Sequence, residues 1–237
     1  MFKNILIVIE LSEEYQAIIN CMHDFKNLGA EEVTLFYACN LTNFDTFADY
    51  LKNTVEPSLL LQQKDVEKLG YKTNVEVVPG SITDELHLVV AKRDIDLIVV
   101  GSKGNDTTKR FFNKYLNPAS EVFHIFKKPL LISSIKEETN STTGELNCYC
   151  SDIRERILFT TDFSDISLKA FEYVIKLVEG GCKSITLLHV QDIVKELKDN
   201  KEIYEEDLDI KQLEVRQQLL MAKGADRVEI KIAVGKA

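Results

Sequence analysis

Residues 97–134 read LIVVGSKGNDTTKRFFNKYLNPASEVFHIFKKPLLISS. They open with a short apolar run, Leu97–Val100, which stops at Gly101 and is followed by a second glycine, Gly104. An apolar run of this length is typical of a parallel strand that is covered on both faces. Glycines at the end of such a strand let the backbone turn sharply and approach a ligand closely. We therefore expect this strand of an α/β fold to end at Gly101 and to pass into a ligand-binding loop.

The remainder of this stretch completes one crossover unit. Asn117 followed by Pro118 is a strong signal for a helix start, because Asn caps the first turn and Pro suits the first helical position. The helical pattern ends near residues 127–129, and the apolar residues 130–132 predict a closing strand. Strand, loop, helix and strand make a right-handed unit of a parallel sheet.

The residues before this stretch continue the same alternation. Apolar runs predict strands at 4–9, 33–38 and 72–78, and helical patterns lie between them at 12–28, 57–69 and 81–93. Five strands alternating with four helices predict an open, Rossmann-like parallel sheet with helices on both faces. The first domain covers residues 1–134, and the polar, aperiodic segment 135–153 predicts a linker.

The second domain, residues 154–237, repeats the first. RILFTTDFSDISLKAF from Arg156 matches NILIVIELSEEYQAII from Asn4, and ITLLHV at 185–190 matches VTLFYA at 33–38. VEIKIAVG at 228–235 matches the third strand of the first copy as far as its glycine. The second copy has no counterpart of residues 81–134, so its sheet is expected to be incomplete. Either the natural chain is longer, or residues are omitted, or a partner chain completes the sheet.

Composition excludes several classes of protein. The net charge of −9 argues against sequence-independent binding to nucleic acid phosphates. No apolar stretch approaches the ~20 residues of a membrane span. No signal peptide is evident, so we expect a cytoplasmic protein. The five cysteines are scattered, which favours reduced thiols over a disulfide framework. Neither they nor the four histidines show the spacing of a metal site.

These residues together resemble the universal stress protein family in a tandem two-domain form. The most specific matches are TTDFS at 160–164 and DLIVVGSKG at 96–104. The resemblance implies a five-stranded parallel sheet in each complete copy. It also implies binding of ATP or a related adenine nucleotide, with Mg²⁺ as a possible companion.

The resemblance assigns two positions of each copy to the nucleoside end of the ligand. The family's acidic residue after the first strand falls on Glu10 in the first copy and on Asp162 in the second. A backbone contact after the second strand falls on Ala38 and on Val190. The second copy thus has the family's aspartate, whereas the first copy has the longer glutamate.

The phosphate loop of the family falls within the first copy alone. Its two glycines match, but the position of a third glycine is taken by Leu116, whose side chain would hinder a close backbone approach to phosphate. A helix N-terminus capped by an amide still offers an anion site, and nearby lysines supply charge. The candidate residues here are Gly101, Ser102, Lys103, Gly104 and Asn117.

No motif for an enzyme accompanies this loop, since the chain has no Walker phosphate loop, nucleophile elbow or zinc-protease helix. The first hypothesis is therefore a non-catalytic, adenine-nucleotide-binding stress protein. The alternatives are an interaction module that has lost the ligand and a slow ATPase. We also expect the two copies to pair as an intrachain pseudo-dimer, and two chains to associate as a homodimer.

Overall fold

The computed structural model of the protein describes residues 1–9, 11, 18–19, 22, 25–39, 48–80, 82–103, 128–137, 146–148, 154–191 and 205–235. The chain forms two compact units, Met1–Cys150 and Ser151–Ala237.

The first unit is built on a six-stranded sheet in the order β3-β2-β1-β4-β5-β6. The pairs among β1 to β5 are parallel, and β6 pairs antiparallel with β5. This arrangement confirms the predicted open parallel α/β sheet. The strands are β1 (Asn4–Val8), β2 (Glu32–Cys39), β3 (Lys72–Pro79), β4 (Leu97–Lys103), β5 (Leu130–Glu137) and β6 (Leu146–Cys148).

Helices cover both faces of this sheet, because successive residues of a buried strand point to opposite faces. On one face α2 (Ile82–Lys92) packs its apolar residues on Leu6, Val8 and Phe36. On the other face lie α1 (Glu56–Lys68) and the helical residues Ile18, Ile19, Met22 and Phe25. A 3-10 turn follows them at Lys26–Leu28. The core therefore forms two layers, one on each side of the central strands.

The helical backbone that leads into α1 begins earlier than Pro57 indicates. The sequence predicts a start at Pro57, but the backbone is already helical from Ala48 and passes through a π-helical turn at Leu51–Val55. Pro57 has no N–H to donate to the carbonyl of Asn53, so a regular α-helical bond cannot form there. A wider π turn immediately before the proline accommodates this missing bond.

Two further differences concern the end of the first unit. Strand β4 continues through Gly101 to Lys103, so the prediction that it ends at Gly101 is wrong; pairing with β5 keeps these residues extended. Within the segment predicted as a linker, Leu146–Cys148 forms β6 against Ile135–Glu137. Tertiary pairing thus adds structure where the sequence shows no periodicity.

The second unit has a three-stranded parallel sheet in the order β7-β8-β9. Its elements are β7 (Ile157–Thr161), α3 (Asp165–Glu179), β8 (Ser184–Gln191), α4 (Glu205–Ala222) and β9 (Arg227–Val234). The order matches β1, β2 and β3 of the first unit, which confirms a partial second copy of the same fold. Both helices pack on one face, where Phe159, Leu187 and Leu213 belong to one apolar cluster.

The opposite face of the second sheet is open among the described residues. Leu158 is 62% exposed, whereas Leu6, at the same position of the repeat, is fully buried. In the first unit α2 and β4 cover that position. The difference in exposure therefore follows from the elements that surround the strand and not from the strand itself.

Candidate functional site

The strand order of the first sheet reverses between β1 and β4. Val8 and Val100 form the last pair between these strands. Beyond that pair, Ile9 donates its N–H to the carbonyl of Phe36 at 3.0 Å, and β4 continues to Lys103 alongside β5, where Gly101 pairs with Ser133. Ligands of open α/β sheets bind at the carboxyl ends of the strands where the strand order reverses, so this rim is the candidate site.

Three residues of the predicted phosphate loop lie at the carboxyl end of β4. Gly101, Ser102 and Lys103 are extended and pair with residues 133–135 of β5. The structure therefore brings their backbone to the carboxyl rim beside β1. Gly104 and Asn117, which complete the predicted loop and helix start, lie outside the described residues, and so does Glu10.

The end of β2 forms the other side of the rim. Ala38 pairs with Val78 of β3, and its side chain packs against the apolar core under α2. One residue later, the carbonyl of Cys39 accepts a hydrogen bond from Gly80 at 2.9 Å. Ala38 thus has the position that the sequence predicts for a backbone contact, at the end of a strand next to β1.

In the second unit Asp162 follows β7 directly and is exposed at the rim. Its Oδ1 accepts the backbone N–H of Ser164 at 3.0 Å, which closes a local turn. Hydrogen bonds from the side chain and the backbone of Ser164 hold the pKa of Asp162 below its usual value of 3.8. Asp162 is therefore a carboxylate at neutral pH and offers its remaining lone pairs to a donor at the rim.

Helix α3 begins immediately after this turn. Ser164 is its N-cap and accepts the N–H of Ser167 at 3.3 Å. Phe163, between the acid and the cap, has a left-handed backbone with φ of 59° and donates its N–H to Oγ1 of Thr161 at 3.0 Å. The side chains of Thr161, Asp162 and Ser164 each accept a backbone N–H, and these three bonds hold Asp162 at the start of α3.

A polar cluster that sequence analysis missed lies beneath this turn. His189 contacts the carbonyl of Thr161 through Nδ1 at 2.8 Å and Oδ2 of Asp209 through Nε2 at 3.3 Å. Gln191 donates to the same oxygen of Asp209 at 3.2 Å. Since a carbonyl only accepts, Nδ1 carries the proton toward Thr161, and Nε2 faces the carboxylate of Asp209. Val190, for which the sequence predicts a backbone contact with the ligand, lies between His189 and Gln191 in the chain.

No residue spacing in the sequence predicts this polar cluster. His189 and Asp209 are twenty positions apart, on a strand and on a helix whose apolar residues lie on more than one side. The one available signal is the position of His189 at the end of a predicted strand, immediately before Val190. Only the packing of α4 on β8 brings the carboxylate to the ring.

A buried cation flanks the same turn. Arg216 of α4 is 9% exposed, and its guanidinium lies over the rings of Phe163 and Phe171, 5.0 Å and 5.7 Å from their centres. It donates to the carbonyl of Gln212 at 2.9 Å. Burial lowers the pKa of Arg216. The aromatic faces offset part of the cost of burying the charge.

Two classes of site are not found among the described residues. No group of three or more metal-ligating side chains is placed close enough together to hold a metal ion. Within the same part of the chain, no helix is both long and apolar enough to cross a membrane.

Comparisons with known proteins support the fold. The sequence profile of the universal stress protein family matches residues 1–133. A universal stress protein from Archaeoglobus fulgidus DSM 4304 is 21% identical, with a TM-score of 0.71 over 98% of this chain and 77% of that chain. A functionally unknown protein from Pseudomonas aeruginosa PAO1 is 11% identical, with a TM-score of 0.52 over 99% and 74% of the two chains. At these identities the likeness concerns the fold alone.

A universal stress protein from Archaeoglobus fulgidus in complex with dAMP is 14% identical, with a TM-score of 0.40, over 55% of this chain and 97% of that chain. Its ligand is a property of that protein. No match was found among curated protein sequences. The profile spans more than half of this chain, and the sheet order and the repeat agree with it. The chain belongs to the universal stress protein family.

Proposed function

We propose that the chain is a non-catalytic binding protein that holds ATP or another adenine nucleotide at the carboxyl rim of a sheet and acts in stress response. The observation that carries this proposal is the reversal of strand order between β1 and β4, with Gly101–Lys103 at the carboxyl end of β4 beyond the last pair, Val8–Val100. This is the position at which open α/β sheets bind nucleotides, because backbone N–H groups there can bind phosphates.

Each unit, taken by itself, has a different part of the family's nucleotide site. The first has the glycine-bearing strand end, and the predicted phosphate loop follows it. The second has an ionised carboxylate, Asp162, at the rim position that the family uses for its acid. Because a carboxylate accepts hydrogen bonds only, Asp162 suits the hydroxyl or amino donors of a nucleoside and opposes phosphate. We therefore assign phosphate binding to the first unit, with Gly101, Ser102, Lys103, Gly104 and Asn117.

Calorimetric titration of the full chain with ATP, with Mg²⁺ and then with EDTA, tests the proposal. We expect saturable binding, weakened at least tenfold by Gly104→Leu, because a branched side chain would keep phosphate from the backbone. Gly235→Leu is the matched control: an added Cβ at Gly235 meets no heavy atom within 4 Å. Titration with AMP and cAMP then shows which part of the ligand is recognised.

The second unit is tested with Asp162→Asn. The amide oxygen still accepts the N–H of Ser164, so the turn is retained while the charge is removed. Loss of binding in this variant and not in Gly104→Leu would move the site to the second unit. A folded protein that gives no saturable heat at millimolar ATP, AMP or cAMP would contradict nucleotide binding and favour an interaction module.

A further inference from the structure

Strand β3 is an edge of the first sheet, and β2 is its one neighbour in the described part of the chain. Lys72 and Gly80 donate their N–H groups on the β2 side. Backbone groups alternate in direction along a strand, so the odd-numbered residues of β3 present theirs outward. Pro79, which has no N–H, has one of these outward positions, as is usual for proline in an edge strand. The edge of β3 therefore presents backbone donors and acceptors to which another strand can bind.

An apolar groove lies along this edge, on the face that α1 covers. It has a volume of about 260 Å³ and is lined by Val75 and Val77 of β3 and, on α1, by Glu56, Leu59, Leu60 and Gln63. Val75 and Val77 are half-buried, and Leu60 is largely exposed. The backbone groups of both valines point outward while their side chains line the groove. A strand added to this edge would therefore place every second side chain in the groove.

Carboxylates lie at both ends of the groove. Glu56 lines it in the first turn of α1. Glu67 lies in the last turn on the same side of the helix, where it accepts a hydrogen bond from the amide of Gln63 at 2.9 Å. Neither acid makes an ion pair with the residues that the structure describes. At a rise of ~1.5 Å per residue they are about 16 Å apart along the helix, the length of about five residues of a strand.

We propose that this groove binds an extended segment of another protein that has two alternating apolar residues between two basic ones. The segment pairs with β3 as an added strand, and its apolar side chains enter the groove. Its Lys or Arg side chains then meet Glu56 and Glu67. The intervening side chains lie on the other face, beside Glu76, whose charge Lys92 and Arg93 already satisfy. Uncharged polar residues therefore suit these positions.

The repeat provides an internal contrast. In the second unit the matching helix is α4 and the matching edge strand is β9. Gln217 of α4 donates its amide to the carbonyl of Val228 at 2.6 Å, so an outward-facing acceptor of that edge is already bound. At the repeat positions of the two acids, with the helices aligned on the glycines that follow them, α4 has Ile210 and Met221. The acidic ends are thus a feature of the first unit and not of the fold.

Fluorescence polarisation of a labelled peptide, Lys-Thr-Val-Thr-Val-Thr-Lys, titrated with the full chain, measures the binding. One short strand makes a small interface, so we expect a weak, saturable interaction. The same peptide with Glu at both ends should bind about tenfold more weakly or worse, because attraction is replaced by repulsion twice. The double variant Glu56→Lys/Glu67→Lys should reverse this preference, with its fold checked by circular dichroism.

Leu60 and Leu61 provide a matched pair of variants. They are 56% and 55% exposed on the same helix, but of the two only Leu60 lines the groove. Leu60→Gln should weaken binding about fivefold through the loss of apolar contact, and Leu61→Gln should leave it unchanged.

N-methylation of the peptide tests the strand pairing. Methylation of both valines removes the donors that face β3 in an antiparallel strand, and methylation of both threonines removes those of a parallel strand. One of the two modified peptides should therefore lose binding.

Equal affinity for the basic and acidic peptides, or equal effects of Leu60→Gln and Leu61→Gln, would overturn the proposal, since the contact would then lie elsewhere. So would full binding of both methylated peptides, since the peptide would then not be an added strand. Sedimentation velocity tests a second copy of the chain as the occupant. A dimer that the basic peptide dissociates would assign the groove to that copy and would also overturn the proposal.

Discussion

Val8 and Val100 are the last paired residues of β1 and β4, and they lie where the strand order of the first sheet reverses. Beyond them, β4 continues to Lys103 alongside β5. The order of the strands therefore sets the expected ligand site of this fold. The interior of the same strands, buried on both faces, sets the stability of the unit.

The two copies of the repeat provide a matched pair of core substitutions. Leu6→Ala should lower the free energy of unfolding of the first unit by about 2–5 kcal/mol, because the side chain is fully buried and its loss leaves a cavity. Leu158→Ala, at the same repeat position but 62% exposed, should change that of the second unit by less than about 0.5 kcal/mol. Hydrogen exchange, followed separately in each unit, measures both. Equal losses would show that Leu158 is covered in solution.

Removal of the carboxylate of Asp209 should destabilise the second unit. Asp209→Ala leaves Nε2 of His189 and the amide of Gln191 without their shared acceptor, at a cost of about 1–3 kcal/mol. Asp226→Ala is the control, since its 3.8 Å contact with Lys183 is exposed and is expected to contribute less than about 0.5 kcal/mol. Hydrogen exchange at the α4–β8 contact reads out the difference. A similar small effect of both variants would mean that the cluster is hydrated and contributes little.

The N-cap of α3 should be the strongest local determinant of that helix. Ser164→Ala removes the acceptor for the N–H of Ser167 and should cost about 0.5–2 kcal/mol, whereas Ser164→Asn retains a capping oxygen and should cost less. Because Asp162 bonds the N–H of the same residue, the alanine variant also tests whether the rim turn depends on the cap. Urea unfolding followed by helical circular dichroism compares the two variants. A cost for asparagine as large as for alanine would refute the capping role.

Glu76 should make the first unit sensitive to acid. Burial opposes ionisation of this carboxyl, but hydrogen bonds from Arg93 and Lys92 outweigh it and hold the pKa of Glu76 below its ordinary value of 4.5. The unfolded state then binds the proton more readily, so stabilisation is complete above pH 4.5 and is lost as the pH falls through the lower, folded pKa. Glu76→Gln should flatten the fall of stability in this acid range. Glu31→Gln, which alters an exposed ion pair with Lys3, should leave the fall in place. An unchanged acid profile in Glu76→Gln would contradict this assignment.

Prediction from the sequence succeeded where the pattern is local. The apolar run at Leu97–Val100 predicts a buried strand, and the repeat from Arg156 predicts that the second copy begins with the same strand as the first. The structure confirms both, with β4 in the centre of the first sheet and β7 as the first strand of the second. Periodicity and capping depend on residues close in the chain, so they can be recognised without a fold.

Prediction failed where a distant partner decides the outcome. The glycine after the apolar run predicts that β4 ends at Gly101, but pairing with Ser133 of β5 keeps Gly101 extended. Residues 146–148 show no strand pattern, but Ile135–Glu137 supply the hydrogen bonds that make them β6. A backbone hydrogen bond between strands has no signature in either strand alone.

Two copies of one α/β unit, each with an acidic residue after its first strand, can be recognised from the sequence. Alternating apolar runs and turns are sufficient for that, because burial selects side chains by their spacing along the chain. Tertiary contacts are needed to extend β4 beyond its last pair with β1, to bring Asp209 to His189, and to leave Leu158 exposed while Leu6 is buried. Each of these depends on which elements become neighbours, and the free energy of those contacts belongs to pairs of residues far apart in the chain.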